Sequence, residues 1–363
     1  MKRRPQTAAW FLAACLVAAA STAGVAAEPA RFLKSAERIV ALRGGGYFPV
    51  MVKLRDGTLG AVVRGGAPHV GRAGRLDFIR STDGGRTWSA PVVAADSSWD
   101  DRNPALGQMP DGTLVLAYAE ARSYRPDGTF DLKAGPYVGF LVASKDDGKS
   151  WSAKRPLESP IPNPSPFGKI NVTQDGTALL SLYEMPSNRV GLLRSRDSGK
   201  TWGGWTILPG HDETQVLEVP DGRWLAFTRI EESGPVGLLL SESRDAGRTW
   251  TNSRKLLKAQ QWPYDATVLR SGHLLLSFGS RLGHFGAGVV LSTDGGKTWD
   301  ADHAVLVGWD SLNTDTGYPS TVELDDGTIV TMYYAVGTKA VPGEQAIVVR
   351  YTEAQLREAM QGK

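Results

Sequence analysis

The sequence predicts an all-β fold, a six-bladed β-propeller, and three observations support that prediction. First, the octapeptide S-x-D-x-G-x-[ST]-W occurs five times, beginning at Ser81, Ser144, Ser195, Ser243 and Ser292. Second, its aspartates are 63, 51, 48 and 49 residues apart, a spacing typical of repeated structural units. Third, a turn dipeptide between β-forming runs interleaves with the octapeptide and indicates a β-hairpin.

Each repeat joins one hairpin to one octapeptide, except that the sixth lacks the octapeptide, and we expect four strands from each. The hairpins are "KLRDGTLGAVV", "QMPDGTLVLAY", "VTQDGTALLSL", "EVPDGRWLAF", "LRSGHLLLSF" and "ELDDGTIVTMYY". Six four-stranded sheets in a ring are typical of a propeller. The last repeat has only one clear strand after its hairpin, "AIVVRYT". The segment "ERIVALR", Glu37–Arg43, would complete that sheet and leave fewer exposed edges.

We interpret the octapeptide as a structural turn and not as a catalytic motif. Its Ser and Asp side chains accept backbone N–H groups, its Gly adopts the positive φ, and its Trp packs beneath the turn. An enzyme has one active site, so a motif that recurs from blade to blade is structural. After the last strand, Thr352 and Gln355 form a capping-box pair, which predicts a short C-terminal helix.

The N-terminus has the layout of a secretory signal peptide over residues 1–27. Lys2, Arg3 and Arg4 precede an apolar run, and small residues precede Glu28. We therefore expect residues 28–363 to form one exported propeller domain, periplasmic or secreted. The stretch "LAAC" at Cys15 also resembles a lipoprotein processing site, a less favoured alternative. The apolar run is too short for a stable membrane span.

Charge and composition exclude several classes of partner. Without residues 1–27 the chain carries 38 basic and 38 acidic side chains, which gives no support for nucleic acid or an anionic membrane as partner. Its five histidines show no metal-ligand spacing and its one cysteine lies in the signal peptide, so we expect no metal and no cofactor. We expect a monomer.

The octapeptide resembles the Asp box, or bacterial neuraminidase repeat, of the sialidases. That resemblance extends over essentially the whole mature chain. It implies a six-bladed propeller that cuts terminal sialic acid from glycans. The family uses three arginines, an Asp acid/base, a Tyr nucleophile and a Glu.

Three segments in the second half are similar to the family's catalytic blocks. "DETQVLEVPDGRWLAFTR" implies Glu213 as general base and Arg229 as a carboxylate-binding residue. "LLLSFGSRLGHFGAGVVLSTDGG" places Arg281 thirteen residues before an Asp-box aspartate, where the family has its next arginine. "DTGYPSTVELDDGTIVTMYY" implies Tyr318 as nucleophile. A neutral phenol avoids the repulsion that a carboxylate nucleophile would meet at the acidic sugar.

The first half departs from the family. In "GGYFPVMVKLRDG", Tyr47 stands where the first arginine is expected. Arg64 matches an arginine common after the second strand, and Asn103 in "DDRNP" matches a substrate-contacting position. The loop "GAPHVGRAGRLDF" lacks the family's acid/base aspartate. The possible acid/base residues are Asp101, Asp265 and His69.

The leading functional hypothesis is an exo-acting glycoside hydrolase that removes a terminal acidic sugar, sialic acid or a similar one, through Tyr318. The partner is then a glycan or oligosaccharide. Two alternatives remain open. One is a hydrolase or lyase acting on a uronate-containing polysaccharide, since arginines bind uronates equally well. The other is a non-catalytic, glycan-binding propeller.

Overall fold

The protein is a six-bladed β-propeller in a computed structural model that describes residues 30–230, 237–251, 253–257 and 261–362. This confirms the predicted fold class. The predicted signal peptide, residues 1–27, lies outside the described residues.

The strands are numbered in chain order, and each blade is a sheet of four or five strands. Blade 1 contains β3 (Tyr47–Lys53), β4 (Leu59–Gly65), β5 (Arg75–Ser81) and β6 (Val92–Ala95). Blade 2 contains β7 (Asp100–Gln108), β8 (Leu114–Ala121), β9 (Tyr137–Ser144), β10 (Arg155–Pro156) and β12 (Gly168–Lys169). Blade 3 contains β11 (Pro164–Pro166), β13 (Asn171–Val172), β14 (Ala178–Glu184), β15 (Arg189–Ser195) and β16 (Gly203–His211).

The second half of the chain repeats this arrangement. Blade 4 contains β17 (Thr214–Glu218), β18 (Trp224–Ile230), β19 (Gly237–Ser243) and β20 (Arg254–Leu257). Blade 5 contains β21 (Gln261–Val268), β22 (Leu274–Leu282), β23 (His284–Ser292), β24 (Val305–Gly308) and the N-terminal β1 (Arg31–Phe32). Blade 6 contains β25 (Thr316–Glu323), β26 (Thr328–Val336), β27 (Glu344–Thr352) and β2 (Glu37–Arg43).

The two ends of the chain close the ring, as the sequence predicts. Strand β2 pairs antiparallel with β27 and supplies the outermost strand of blade 6. Strand β1 pairs in parallel with β24, an additional tie that the sequence did not indicate. A 3₁₀ helix covers Ala301–His303, and the C-terminal helix α1 covers Glu353–Met360 with the predicted capping box at Thr352.

The hydrophobic core is a ring of layers between neighbouring blades. One layer joins Val62 and Phe78 of blade 1 to Leu116 of blade 2. An equivalent layer joins Met51 of blade 1 to Val348 of blade 6 across the closure. Each blade is thus buried on both faces, which suits strands rich in Val, Leu and Ile.

Strand register separates two faces of the disc. In blade 1, Tyr47 pairs with Arg64 at one end of the hairpin, and Lys53 pairs with Leu59 at the other. Leu59 in turn lies opposite Ser81, where the Asp box begins. Hairpin turns and Asp boxes therefore share one face, whereas innermost strands begin on the opposite face, around the mouth of the central channel.

Candidate active site

A repeated backbone feature supplies side chains to this mouth. Phe48, Asn103 and Tyr318 each precede a proline near the start of an innermost strand, in blades 1, 2 and 6. Their φ angles are 51°, 54° and 51°, and the strand pairing shifts register at each of them. Such bulges re-aim a side chain away from the ladder. All three residues line the same cavity, which is open to solvent.

Tyr318 and Glu213 form the centre of the site. The Tyr318 hydroxyl donates to Glu213 Oε1 at 2.5 Å, although the residues lie on blade 6 and at the start of blade 4. Burial, and then the neighbouring Glu213 carboxylate, raise the pKa of Tyr318 well above its usual value, against the opposing effect of Arg229 and Arg281. The resting phenol is neutral, and the acceptor for its proton is already in contact.

Two arginines flank this pair, as the sequence predicts. Arg229 Nη1 donates to Glu213 Oε2 at 2.8 Å, and its Nε lies 3.5 Å from Asp212 Oδ2. Arg281 donates through Nε to the Thr316 carbonyl at 3.1 Å, and its guanidinium lies 5.8 Å from the centre of the Tyr318 ring. Within the described part of the chain, this backbone contact is the one hydrogen bond that Arg281 makes.

Trp262 and Asp212 belong to the same cluster, and sequence reasoning missed both. The guanidinium groups of Arg229 and Arg281 each lie 5.4 Å from the Trp262 ring, so one aromatic ring contacts both cations. Burial and the adjacent Glu213 raise the pKa of Asp212 to about 6. Trp262 precedes Pro263 at another strand bulge. This Trp-Pro dipeptide in an inner strand is the sequence feature from which Trp262 could have been predicted as a site residue.

Tyr47, at the position where the family resemblance implies the first arginine, is buried at 2% exposure. Its ring packs 5.1 Å from Tyr334 and 5.9 Å from Phe48. Burial raises its pKa to about 12. An aromatic wall thus occupies the side of the mouth where the family resemblance implies a third cation.

Arg64 lies beneath the mouth with no exposed surface. Its Nε and Nη2 donate to Asp100 Oδ1 at 2.9 and 2.6 Å. Every described contact of this guanidinium is with Asp100 or with backbone carbonyls, so the geometry gives Arg64 a structural role. Asn103 does line the cavity, where its Nδ2 donates to Ser165 Oγ at 2.6 Å and to the Tyr183 hydroxyl at 3.0 Å.

The two aspartates considered as acid/base are both buried. Asp101 accepts from the backbone and side chain of Ser97, and burial raises its pKa to about 7. Asp265 lies in the floor of the cavity, 2.7 Å from Lys169 Nζ, and accepts from Gln215 and from the Thr321 backbone. With these partners, neither carboxylate has the open approach that a proton donor to a substrate requires.

His69 is the candidate that reaches the mouth. It lies on the loop between β4 and β5, with its side chain 36% exposed. Its Nδ1 is 2.6 Å from Asp315 Oδ1, and its ring is 4.9 Å from Phe48.

The sequence matches the BNR repeat-like domain family over residues 79–332, which is most of the chain. The chain belongs to this family. Two curated relatives of this BNR-repeat propeller are called sialidases. The one from Bacteroides fragilis (strain YCH46) is 29% identical over 295 residues, covering 71% of this chain and 53% of the relative. The one from Micromonospora viridifaciens is 26% identical over 394 residues, covering 92% of this chain and 59% of the relative.

These matches place the BNR-repeat propeller in the sialidase superfamily, although it spans little more than half the length of the curated relatives. A solved structure of a protein of unknown function from Dyadobacter fermentans DSM 18053 superimposes with a TM-score of 0.74 at 24% identity. That match covers 87% of this chain and 98% of the other, and it supports the fold alone.

Two structural properties bear on the predicted partners. In the ranges given above, no helix combines the length and apolar character needed to cross a bilayer. Among the same residues, no group of three or more His, Cys, Asp or Glu side chains is arranged to hold a metal ion.

Proposed function

We propose that this BNR-repeat propeller is an exo-acting glycoside hydrolase that removes a terminal acidic sugar, sialic acid or a close relative, from glycans. The observation that carries the proposal is the 2.5 Å hydrogen bond between the Tyr318 hydroxyl and Glu213, with two guanidinium groups beside it. A buried phenol paired with a carboxylate is an activated nucleophile, because its proton leaves as the new bond forms. The sialidases among the curated relatives agree with this reading.

The substrate carboxylate would be held by the arginines. The terminal N–H groups of Arg281 face no acceptor in the described structure, and the cation lies beside the Tyr318 ring. Each charge-assisted hydrogen bond to the carboxylate contributes about 1.5–3 kcal/mol in such a site. Arg229 lies 2.8 Å from Glu213 Oε2, and Glu213 Oε1 is the atom that accepts the Tyr318 proton.

A second candidate function is hydrolysis or elimination on a uronate-containing polysaccharide. The observation that favours it is the aromatic wall of Tyr47 and Phe48, where the family has its first arginine. Two arginines still bind a carboxylate, and Tyr47 and Phe48, both buried, are aromatic where the family resemblance implies a further arginine. The proposed sialoside activity and this alternative differ in product.

The test measures turnover of fluorogenic α-sialosides and of uronide oligosaccharides by purified protein comprising residues 28–363, and by its Tyr318→Phe variant. We expect sugar release by the wild type, and loss of kcat by about 10³-fold or more in the variant, because the nucleophilic oxygen is gone. The matched control is Tyr351→Phe. Tyr351 is on the same blade, is 2% exposed and bonds to Thr331 away from the mouth.

Each result discriminates between the candidates. Full turnover by Tyr318→Phe would remove Tyr318 from the reaction. Binding without turnover on every acidic glycan would leave a glycan-binding propeller. Release of an unsaturated uronate, detected by its ultraviolet absorbance, would identify a lyase.

A further inference from the structure

The loop of residues 66–74 brings His69 against Phe48, which lines the cavity. His69 Nδ1 lies 2.6 Å from Asp315 Oδ1, which also accepts from the Tyr334 hydroxyl at 2.6 Å. The Phe48 ring lies 4.9 Å from the His69 ring and 4.8 Å from the Tyr318 ring. The Phe48 ring therefore contacts both His69 and the nucleophile.

The backbone of this loop is fixed from below by Arg64. Its guanidinium donates to the carbonyls of Ala67, Pro68 and Gly71 at 3.3, 2.6 and 3.0 Å. The opposite side of the guanidinium is paired with Asp100, and both side chains have no exposed surface. His69 is thus held by a buried ion pair that joins blade 1 to blade 2, as well as by Asp315 at the start of blade 6.

Asp315 sets which nitrogen of His69 carries the hydrogen. Burial alone would raise the pKa of Asp315, but hydrogen bonds from His69 and Tyr334, with Arg281 nearby, lower it below its usual value. An ionised carboxylate only accepts hydrogen bonds, so His69 Nδ1 carries the hydrogen. Nε2 is then the nitrogen that takes up and releases a proton, and it has no partner among the described residues.

We propose that His69, oriented by Asp315, is the general acid and base of this site. The inference rests on the glycoside hydrolase function proposed above. In the first step the Tyr318 oxygen bonds to the anomeric carbon and passes its proton to Glu213. The glycosidic bond breaks, its electron pair goes to the leaving oxygen, and that oxygen takes the proton from His69 Nε2.

The second step restores every group. Neutral His69 Nε2 takes a proton from water as the water oxygen bonds to the anomeric carbon. The bond between that carbon and Tyr318 breaks, its electron pair returns to the phenolic oxygen, and Glu213 returns the proton. The sum is one water consumed for each glycosidic bond broken, with the configuration retained.

The experiment compares two α-sialosides on the wild type and on His69→Gln. Methyl α-sialoside has a poor leaving group that needs a proton, whereas 4-nitrophenyl α-sialoside has a good one that does not. We expect kcat for the methyl sialoside to fall by about 10²–10⁴-fold in His69→Gln, the usual contribution of a general acid. We expect the initial burst of 4-nitrophenol to keep most of its rate.

Asp315 acts as a positioning residue and is tested in the same way. Asp315→Asn should lower kcat on the methyl sialoside with KM nearly unchanged, and spare the nitrophenyl burst. His303→Gln is the matched control, because His303 forms a similar contact, 2.6 Å to Asp300, in the 3₁₀ helix of blade 5. Thermal unfolding of each variant checks that the propeller is intact.

The outcomes separate this inference from the function on which it rests. An equal loss on both substrates in a folded His69→Gln protein, or no loss on either, would overturn the role of His69 and leave Tyr318 untouched. Wild-type protein that cleaves neither sialoside would overturn the proposed sialoside activity and the His69 role together.

Discussion

At the scale of single residues, the position before a proline determines which side chains reach the channel mouth. Tyr318 and Phe48 both have φ of 51°, a conformation that aromatic residues rarely adopt. Surrounding packing must hold them there, and such local strain is concentrated at functional sites. The tripeptides "YFP" and "GYP" allow both bulges to be predicted, because a proline in an inner strand indicates a bulge.

Residue types and order allowed part of the site to be predicted. The motifs that predict these residues keep a regular spacing from the hairpins and boxes. The fold brings the four of them into one cluster: Glu213, Arg229, Arg281 and Tyr318. The environment of Arg64 was not predictable from spacing. It depends on carbonyl groups that converge only when residues 66–74 adopt their loop conformation.

Asp101 permits a prediction about pH and stability. Burial raises its folded-state pKa to about 7, above the usual 3.8. The shift therefore favours folding below about pH 4, and this contribution is lost as pH rises through 7. We expect Asp101→Asn to be more stable than the wild type by roughly 2–4 kcal/mol at pH 8, with the difference vanishing near pH 4. Urea unfolding at pH 4, 6 and 8 measures it.

Activity provides the second readout of the same variant. Asp101 contacts Ser97 and does not line the cavity, so kcat should be unchanged. Asp302→Asn, at an exposed position, is the control whose stability relative to the wild type should be the same at each pH. A large loss of kcat in Asp101→Asn would return Asp101 to the list of acid/base candidates.

At the scale of elements, the Asp box is a turn closed by its own side chains. In the box of blade 3, Asp197 Oδ1 accepts from the Thr201 backbone at 2.9 Å and from Ser195 Oγ at 2.8 Å. The box glycine contacts the neighbouring blade. A Cβ on Gly148, for example, would lie 2.0 Å from the Phe78 ring. These contacts could be predicted because the motif is local and repeats with the same residues.

Loss of one box should therefore affect stability and spare chemistry. We expect Asp197→Ala to lower the free energy of unfolding by about 1–3 kcal/mol, because charge-assisted hydrogen bonds to Thr201 and Ser195 are lost. Urea unfolding measures the loss, with the exposed Asp302→Ala as control. Since boxes and mouth lie on opposite faces, kcat should not change. A variant as stable as the control would contradict the structural role of the box.

At the scale of the whole molecule, the seam between blades 6 and 1 joins the two halves of the proposed site. Tyr318 lies on blade 6, whereas Phe48 and His69 lie on blade 1. Strand β2 leads directly into blade 1 and pairs with β27 of blade 6. The sequence predicted this closure because the sixth repeat lacked a strand and one suitable segment remained.

The final prediction is that closure sets both stability and catalytic geometry. A variant that begins at Gly44 lacks β1 and β2, and with them the contacts of Arg38 with Asp310 and Tyr333. It exposes the edge of β27, so we expect Tm to fall by about 5 °C or more, equivalent to about 2 kcal/mol. We also expect kcat/KM to fall, because the Tyr318 and His69 sides of the mouth lose their fixed spacing. A synthetic peptide of residues 30–43 should restore both quantities, and a scrambled peptide should restore neither. Unchanged Tm and activity in the truncated protein would mean that the inter-blade core alone holds the ring, and that the terminal strand is dispensable.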